Sequence, residues 1–371
     1  MFTITTTAIH HLCADSDRVI KTSWGVMGQR HAIFIELRDD KGGRGWGESW
    51  VNFPVYSPFV RLAAFQQAYF PYLQGREVTD VRAFMTQMFK VFIGPAIQAN
   101  NVGSLIAELC AVELALWDLE AQAKNLPMSK LWFSNPAKEV EIYASGINSP
   151  LPMQDIDAML DLGIRLFKLK VGFGAEDLTN IKALTKHFNG KAQIAIDTNR
   201  HWTAAEATQW LPILKDHNVR WLEEALRPDE EPHYPALQGR DVSLSAGENV
   251  WVKCGDPKTL AQLADFPVDI LQPDLIKNCP PIAAVDLIPL AAARNKKVIP
   301  HYLGSALGQA ASLHLAAGCS PNETPLCEWD INPNPLRTNI LDFEIKGGKI
   351  QLPTMPGLGW NVDPARFTQY K

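Results

Sequence analysis

RLFKLK at residues 165–170, AQIAID at 192–197, VRWLEE at 219–224 and VSLSAGE at 242–248 are short, apolar, β-rich segments. Helical stretches such as LTNIKALTKHF and AAEATQWLPILK lie between them. The same texture extends outward. VEIYAS precedes the run, and DILQPD, KVIPH and PLCEWD follow it, with PIAAVDLIPLAAAR in between. Eight strands alternating with helices predict an α/β parallel barrel over residues 131–339. An open doubly wound sheet is the competing arrangement, but no GxGxxG-like phosphate loop follows any strand.

The last residues of the eight strands are Ser145, Lys170, Asp197, Glu223, Glu248, Asp274, His301 and Glu328, at intervals of 25 to 27 residues. Each interval is one strand–loop–helix unit, so all eight side chains project at the C-terminal end of the barrel, where barrel active sites lie. Strand ends are polar in any barrel, so the ring marks the face before it marks the chemistry.

Asp197, Glu223 and Glu248 end three consecutive strands. Three converging carboxylates repel one another unless a cation neutralises them, and all-oxygen ligation suits Mg²⁺. The alternative is that each pairs with a nearby Lys or Arg. Glu223 and Glu224 face opposite sides of one strand, and the spacing favours Glu223 as the inward one. Lys168 and Lys170 are two apart and share a face; mutual repulsion would lower at least one pKa and free a base. Asp274 beside His301 would fix the imidazole tautomer. Glu328, if kept protonated, would donate a hydrogen bond. Together these groups suit removal of a proton α to a carboxylate, for which Lys or His bases with Mg²⁺ are a known solution.

The chain resembles the mandelate racemase group of the enolase superfamily. The motifs are GWGES at 45–49, ALWDL at 115–119, KLK at 168–170, IDTN at 196–199 and WLEE at 221–224. GEN at 247–249, QPD at 272–274, PHYLGSALG at 300–308 and PGLG at 356–359 complete the set. The resemblance implies a (β/α)₇β barrel under an N-terminal α+β capping domain, residues 1–130, completed by residues 340–371. It implies Mg²⁺ on Asp197, Glu223 and Glu248, and Lys170 as a base tuned by Lys168. His301 with Asp274 would be the second base, and Glu328 would stabilise the intermediate. Bases on both faces permit dehydration of an acid sugar, the favoured reading, or racemisation of an α-hydroxy acid. Two departures touch loops near the site: WLEEAL where the family has EEP, and KNCPPI where it has K-x-G-G.

The first 50 residues read as strands, with HAIFIELRD running through DKGG into GWGES. Residues 57–125 turn helical, ending in LIAELCAVELALWDLEAQAKN. Loops from this cap, with Trp24 and Tyr56, are expected over the substrate, beside Ser145, Asn199 and Asn249. An amidohydrolase-like site would need an HxH on an early barrel strand, whereas His10 and His11 are adjacent and lie in the cap. A non-catalytic descendant would be expected to have lost a base or a ligand.

A formal charge of −5 and the lack of a Lys/Arg run argue against nucleic acid as a partner. No stretch reaches the roughly 18 apolar residues that span a bilayer. The six cysteines form no CxxC pair, which argues against a zinc or redox motif. The N-terminus has neither the basic start nor the apolar stretch of a signal peptide. A cytoplasmic homo-oligomer acting on a small hydroxy-carboxylate is expected.

Overall fold

The structure, a computed structural model, describes the chain apart from residues 23, 24, 173, 240, 241, 320–323 and 371, and apart from the side chains of 17–19, 21 and 22. The cap opens with strands β1 (Phe2–Thr22), β2 (Gly25–Asp39), β3 (Arg44–Ser49) and β4 (Glu77–Val78), in an antiparallel sheet of order β3-β2-β1-β4. Helices Val81–Gln98 and Val102–Ala123 follow. The second carries the LIAELCAVELALWDLEAQA pattern, and from Leu105 to Leu119 every residue is buried.

The GWGES motif explains how this helix meets the sheet. A Cβ on Gly45 would lie 2.1 Å from the Ala115 carbonyl, and one on Gly47 would lie 2.0 Å from the Ala111 carbonyl. Ser49 continues the row, its hydroxyl donating to the Ala107 carbonyl at 3.1 Å. Two strand residues advance about 6.7 Å and four helix residues about 6 Å, so the row keeps step with the helix. Trp46 and Glu48 face the other way. Trp46 packs against Phe367, while Glu48 accepts from Ser305 N at 2.6 Å and Gly308 N at 2.9 Å in the barrel.

The barrel strands are β5 (Glu139–Ile147), β6 (Leu166–Lys170), β7 (Gln193–Asp197) and β8 (Trp221–Glu223), then β9 (Ser243–Ala246), β10 (Ile270–Leu271), β11 (Lys297–Val298) and β12 (Leu326–Asp330). They run parallel in that order from β5 to β11, and β12 pairs with β5 to bring the sheet back to its start. This is the (β/α)₇β barrel. After β8 the connecting helix is a 3-10 helix, Glu231–Leu237, in which Pro235 removes an interior N–H that an α-helix needs, while Pro232 sits in the first turn, where proline is tolerated.

The C-terminal segment divides its contacts. Strands β13 (Ile345–Lys346) and β14 (Lys349–Gln351) form a hairpin whose second strand pairs antiparallel with β5 of the barrel. Farther on the segment meets the cap: Leu358 N donates to Asp118, and Phe367 enters among the rings of His10, Phe34 and Trp46. Among the described residues no helix is long and apolar enough to cross a membrane.

Candidate active site

A plug of apolar side chains closes the barrel interior: Tyr143, Leu166, Ala195, Trp221, Ile270, Ile299 and Leu326, one from or beside each of seven strands. Side chains two residues farther along a strand face the same way. Those are Ser145, Lys168, Asp197, Glu223, Gln272, His301 and Glu328, a polar layer directly above the plug, and all are buried. Lys170 and Asp274 stand one step higher. Gln272 escaped the strand-end reading, although its spacing of two from Asp274 was there to be read.

Lys168 is enclosed. Its Nζ bonds Glu223 and reaches Glu328 Oε1 at 2.8 Å. The second oxygen of Glu223 accepts from Gln272 Nε2 at 2.7 Å and from the Trp221 indole at 3.2 Å. Glu328 Oε2 accepts from the Tyr143 hydroxyl at 3.1 Å and Tyr302 N at 3.0 Å. Two expectations are corrected here. Burial opposes the Lys168 charge, but Glu223 and Glu328 outweigh it and hold the pKa well above the usual value, so Lys168 is not a lowered-pKa base. Burial likewise opposes ionisation of Glu328, yet Lys168 and His301 draw it down to about 2, so it is an acceptor rather than a protonated donor.

Lys170 Nζ donates to Asp197 Oδ2 at 2.8 Å and to Asn199 Oδ1 at 2.7 Å. Asn199 returns its amide to both Asp197 oxygens at 2.9 Å, so it orients this pair. The chain turns sharply here: Asn199, Arg200 and Glu224 all adopt positive φ, at 47°, 61° and 43°. Such backbone conformations cost on the order of 1 kcal/mol each and concentrate where a site dictates the path. Glu224 faces away from the interior and accepts from Gly247 N at 3.0 Å, leaving Glu223 as the inward carboxylate.

His301 Nδ1 lies 2.8 Å from Asp274 Oδ2, and its Nε2 lies 2.5 Å from Glu248 Oε2. Burial disfavours the imidazolium, but Glu248 and Asp274 outweigh it and push the pKa up to about 10. Glu248 Oε2 also meets Lys277 Nζ at 3.3 Å. Burial works against Glu248 as well, but His301 and Lys277 hold it well below the usual carboxylate range.

The three carboxylates Asp197, Glu223 and Glu248 fit a hard divalent cation by their chemistry and by their place on neighbouring strand ends. Burial first, and then the charges of Asp197 and Glu328, raise Glu223 to about 7 despite Lys168, which is the strain a cation would relieve. In this arrangement each carboxylate is turned onto a cationic side chain. Among the described residues no three acidic, His or Cys side chains converge as a ligand group. Ion pairing, the alternative left open by the sequence, is the arrangement seen.

Above this layer the space has two compartments, and Lys170 and His301 line both. The smaller, about 30 Å³, is walled by Ser145 and by Ile20 and Met27 of the cap. The larger, about 430 Å³, is walled by Asn199, Asn249 and Lys277 from the barrel, and by Trp50 and Phe53 from the cap. Tyr56 lines neither; it is 64% exposed, just before helix Ser57–Ala64. Trp24 lies outside the described residues. Lys277 was missed because nothing in the sequence says where a loop lysine three residues past a strand end will turn.

A capped (β/α)₇β barrel with Lys, His and carboxylate side chains gathered at its C-terminal mouth defines an enolase-type enzyme. The comparisons agree. The family described as "Mandelate racemase / muconate lactonizing enzyme, N-terminal domain" matches residues 4–132, and "Enolase C-terminal domain-like" matches residues 153–366. The chain belongs to the mandelate racemase group of the enolase superfamily, and it is an enzyme of the lyase or isomerase class. It is 26% identical over 364 residues to a D-galactarolactone cycloisomerase of Agrobacterium fabrum, covering 92% of each chain. It is 25% identical to an arabinonate dehydratase of Saccharolobus solfataricus, covering 91% of this chain and 90% of the relative. A crystal structure of a mandelate racemase/muconate lactonizing enzyme from Bordetella bronchiseptica superimposes with a TM-score of 0.87, at 27% identity and 99% coverage of both chains.

Proposed function

We propose that this enzyme removes the α-proton of a hydroxy-carboxylate and then expels a β-hydroxyl as water, as an acid-sugar dehydratase does. The observation that carries the reading is that Lys170 and His301 face one shared space from separate strands, with Asp274 behind the imidazole. Lys170, held by Asp197 and Asn199, takes the α-proton as the neutral amine, after its own ammonium proton has gone to solvent. Loss of that proton leaves an enediolate, whose collapse needs an acid at the neighbouring carbon. Glu248 and Asp274 favour the protonated imidazole, the state in which His301 can give that proton to the leaving hydroxyl. Trp50 and Phe53 wall the larger compartment on the cap side, where they would lie over a bound substrate. Asp197, Glu223 and Glu248 would hold Mg²⁺, which when bound supplies the positive charge that acidifies the α-proton.

The same pair of groups supports a second reading, racemisation, in which one removes the proton and the other returns it on the opposite face. Cycloisomerisation, the reaction in the name of the Agrobacterium relative, is another fate of the same intermediate.

The test is incubation with acid sugars and α-hydroxy acids in D₂O with Mg²⁺. Exchange of the α-hydrogen, 2-keto acid formation and optical rotation are followed separately. Exchange with a keto product is expected; exchange with a change in rotation alone supports racemisation, and a ring-opened or ring-closed isomer supports cycloisomerisation. No exchange across the panel overturns proton abstraction. Lys170→Ala and His301→Asn should each lower turnover by about 10²- to 10⁴-fold. Full activity in both would remove these residues from the chemistry.

A further inference from the structure

Lys277 has no task in that mechanism, yet it is one of the most deliberately placed side chains at the barrel mouth. It is 7% exposed and lines the larger compartment. Its Nζ lies 3.3 Å from Glu248 Oε2, 3.2 Å from Asn249 Oδ1 and 5.2 Å from the centre of the Trp50 ring. Three anchors fix the loop that carries it. Asn278, the next residue, donates its amide to the Gly247 and Val250 carbonyls, tying the loop after β10 to the loop after β9. The Asn278 side-chain oxygen Oδ1 accepts from Asp274 N at 3.0 Å. The Ile276 carbonyl accepts from Trp50 N at 3.0 Å, tying the same loop to the cap. Lys277 is the lysine that KNCPP shares with the family's K-x-G-G, and the departure lies in Cys279 and Pro280, just past the residue that anchors the loop.

The charge count around Lys277 is short. Its ion-pair partner, Glu248, is shared through the same oxygen with His301, which lies closer at 2.5 Å, and the buried Glu224 carboxylate acts on it only from farther away. The reading above gives Glu248 a further commitment, to a cation. An ammonium this buried then keeps an amide oxygen, an indole face and the more distant Glu224, which Arg200 already pairs at 3.7 Å, and a buried charge without a full counter-charge is costly. A second anion entering the compartment would remove that cost. The neighbouring wall suits a hydroxylated chain leading to it: the indole N–H of Trp50 has no partner among the described residues, beside the Asn199 and Asn249 amides that are bonded to Asp197 and Glu248.

We infer that Lys277 is a specificity-determining residue that receives a carboxylate at the far end of the substrate, so that the enzyme selects hydroxy-diacids over the matching mono-acids. The inference rests on the proposed reading of the site, with the reacting carbon between Lys170 and His301. A carboxylate fits better than a phosphate, because one ammonium beside an amide balances a single negative charge.

The experiment compares matched pairs of four to six carbons, aldarates against aldonates, which differ only in a carboxylate or a hydroxymethyl at the far end. Binding is measured by calorimetry with Mg²⁺ and turnover by kcat/KM, for the wild type and for K277Q, K277R and K277E. The wild type should favour the diacid of at least one pair by roughly 10- to 100-fold, the worth of one charge-assisted hydrogen bond. K277R should keep most of that ratio, K277Q should bring it near one, and K277E should invert it. Overturning results are no diacid preference in any pair, or an unchanged ratio in K277Q. Equal weakening of both partners by K277Q would make Lys277 a prop for Glu248 and also sink the inference. If no acid exchanges its α-hydrogen, the proton-abstraction reading fails on its own, while the calorimetric ratio still decides the role of Lys277.

Discussion

Three buried carboxylates of the cap and two of the barrel mouth have different kinds of partner. Glu48, Glu113 and Asp118 accept largely from backbone: Glu48 from Ser305 and Gly308, Glu113 from Ile282, Asp118 from Trp46 and Leu358. Burial dominates over those bonds and pushes the three up to about 7, 7 and 6. Glu248 and Glu328 are as deeply buried, but lysine and histidine side chains hold them down. A backbone N–H cannot move away or change charge, so a carboxylate bound to it serves architecture. An ammonium or imidazolium can swing, yield a proton or give way to a cation. Among these five the partner, rather than the burial, decides which way the acid is shifted.

That division can be broken. Asp118→Ala strips the acceptor from two buried backbone N–H groups and should cost about 3 kcal/mol of stability in denaturant unfolding. Exchange of the α-hydrogen per folded molecule should not change; its loss would contradict the architectural assignment. Glu248→Gln should show the converse, with Mg²⁺ affinity by calorimetry falling at least about tenfold, or 1.4 kcal/mol. Unchanged affinity would remove Glu248 from the ligand set.

The smallest effect sharpens the comparison through pH. Burial opposes the charge of Glu36 in the cap, but hydrogen bonds from His10, Arg44 and Arg38 bring it down to about 2. A depressed acid stabilises the fold fully above its ordinary pKa of 4.5, and that stabilisation is lost as pH falls through about 2. The gap between wild type and Glu36→Gln, under about 1 kcal/mol because the arginines are partly exposed, should close across that window. Asp118 carries the opposite sign: raised from 3.8 to about 6, it favours the fold most below 3.8 and loses that contribution as pH rises through 6. A Glu36→Gln gap that widened on acidification would refute the pairing.

The barrel and its polar face were legible in the sequence because strand period and strand–helix spacing are local properties. All eight strand segments appear, although β10 and β11 shrink to two residues each. The partners of long side chains were not legible. Lys168 and Lys170 read as mutual neighbours, but each ammonium reaches carboxylates on other strands, and that depends on barrel tilt. Tyr56 and Trp50 lie six residues apart in one segment of the cap, yet of the two only Trp50 is hydrogen-bonded to a barrel loop. Such contacts arise where separate elements meet, which no local pattern encodes.

The glycine row of β3 acts as an index mark. Because Gly45 and Gly47 admit no side chain against the helix, a slip of one residue would drive Trp46 into Ala115 or Ala111. The strand can therefore occupy its groove in one setting and cannot drift. Trp50 follows immediately, so its height over the larger compartment is set by that same stop. The loop beyond Trp50 can change sequence, and with it the ligands admitted, without the lid losing its calibration to the barrel.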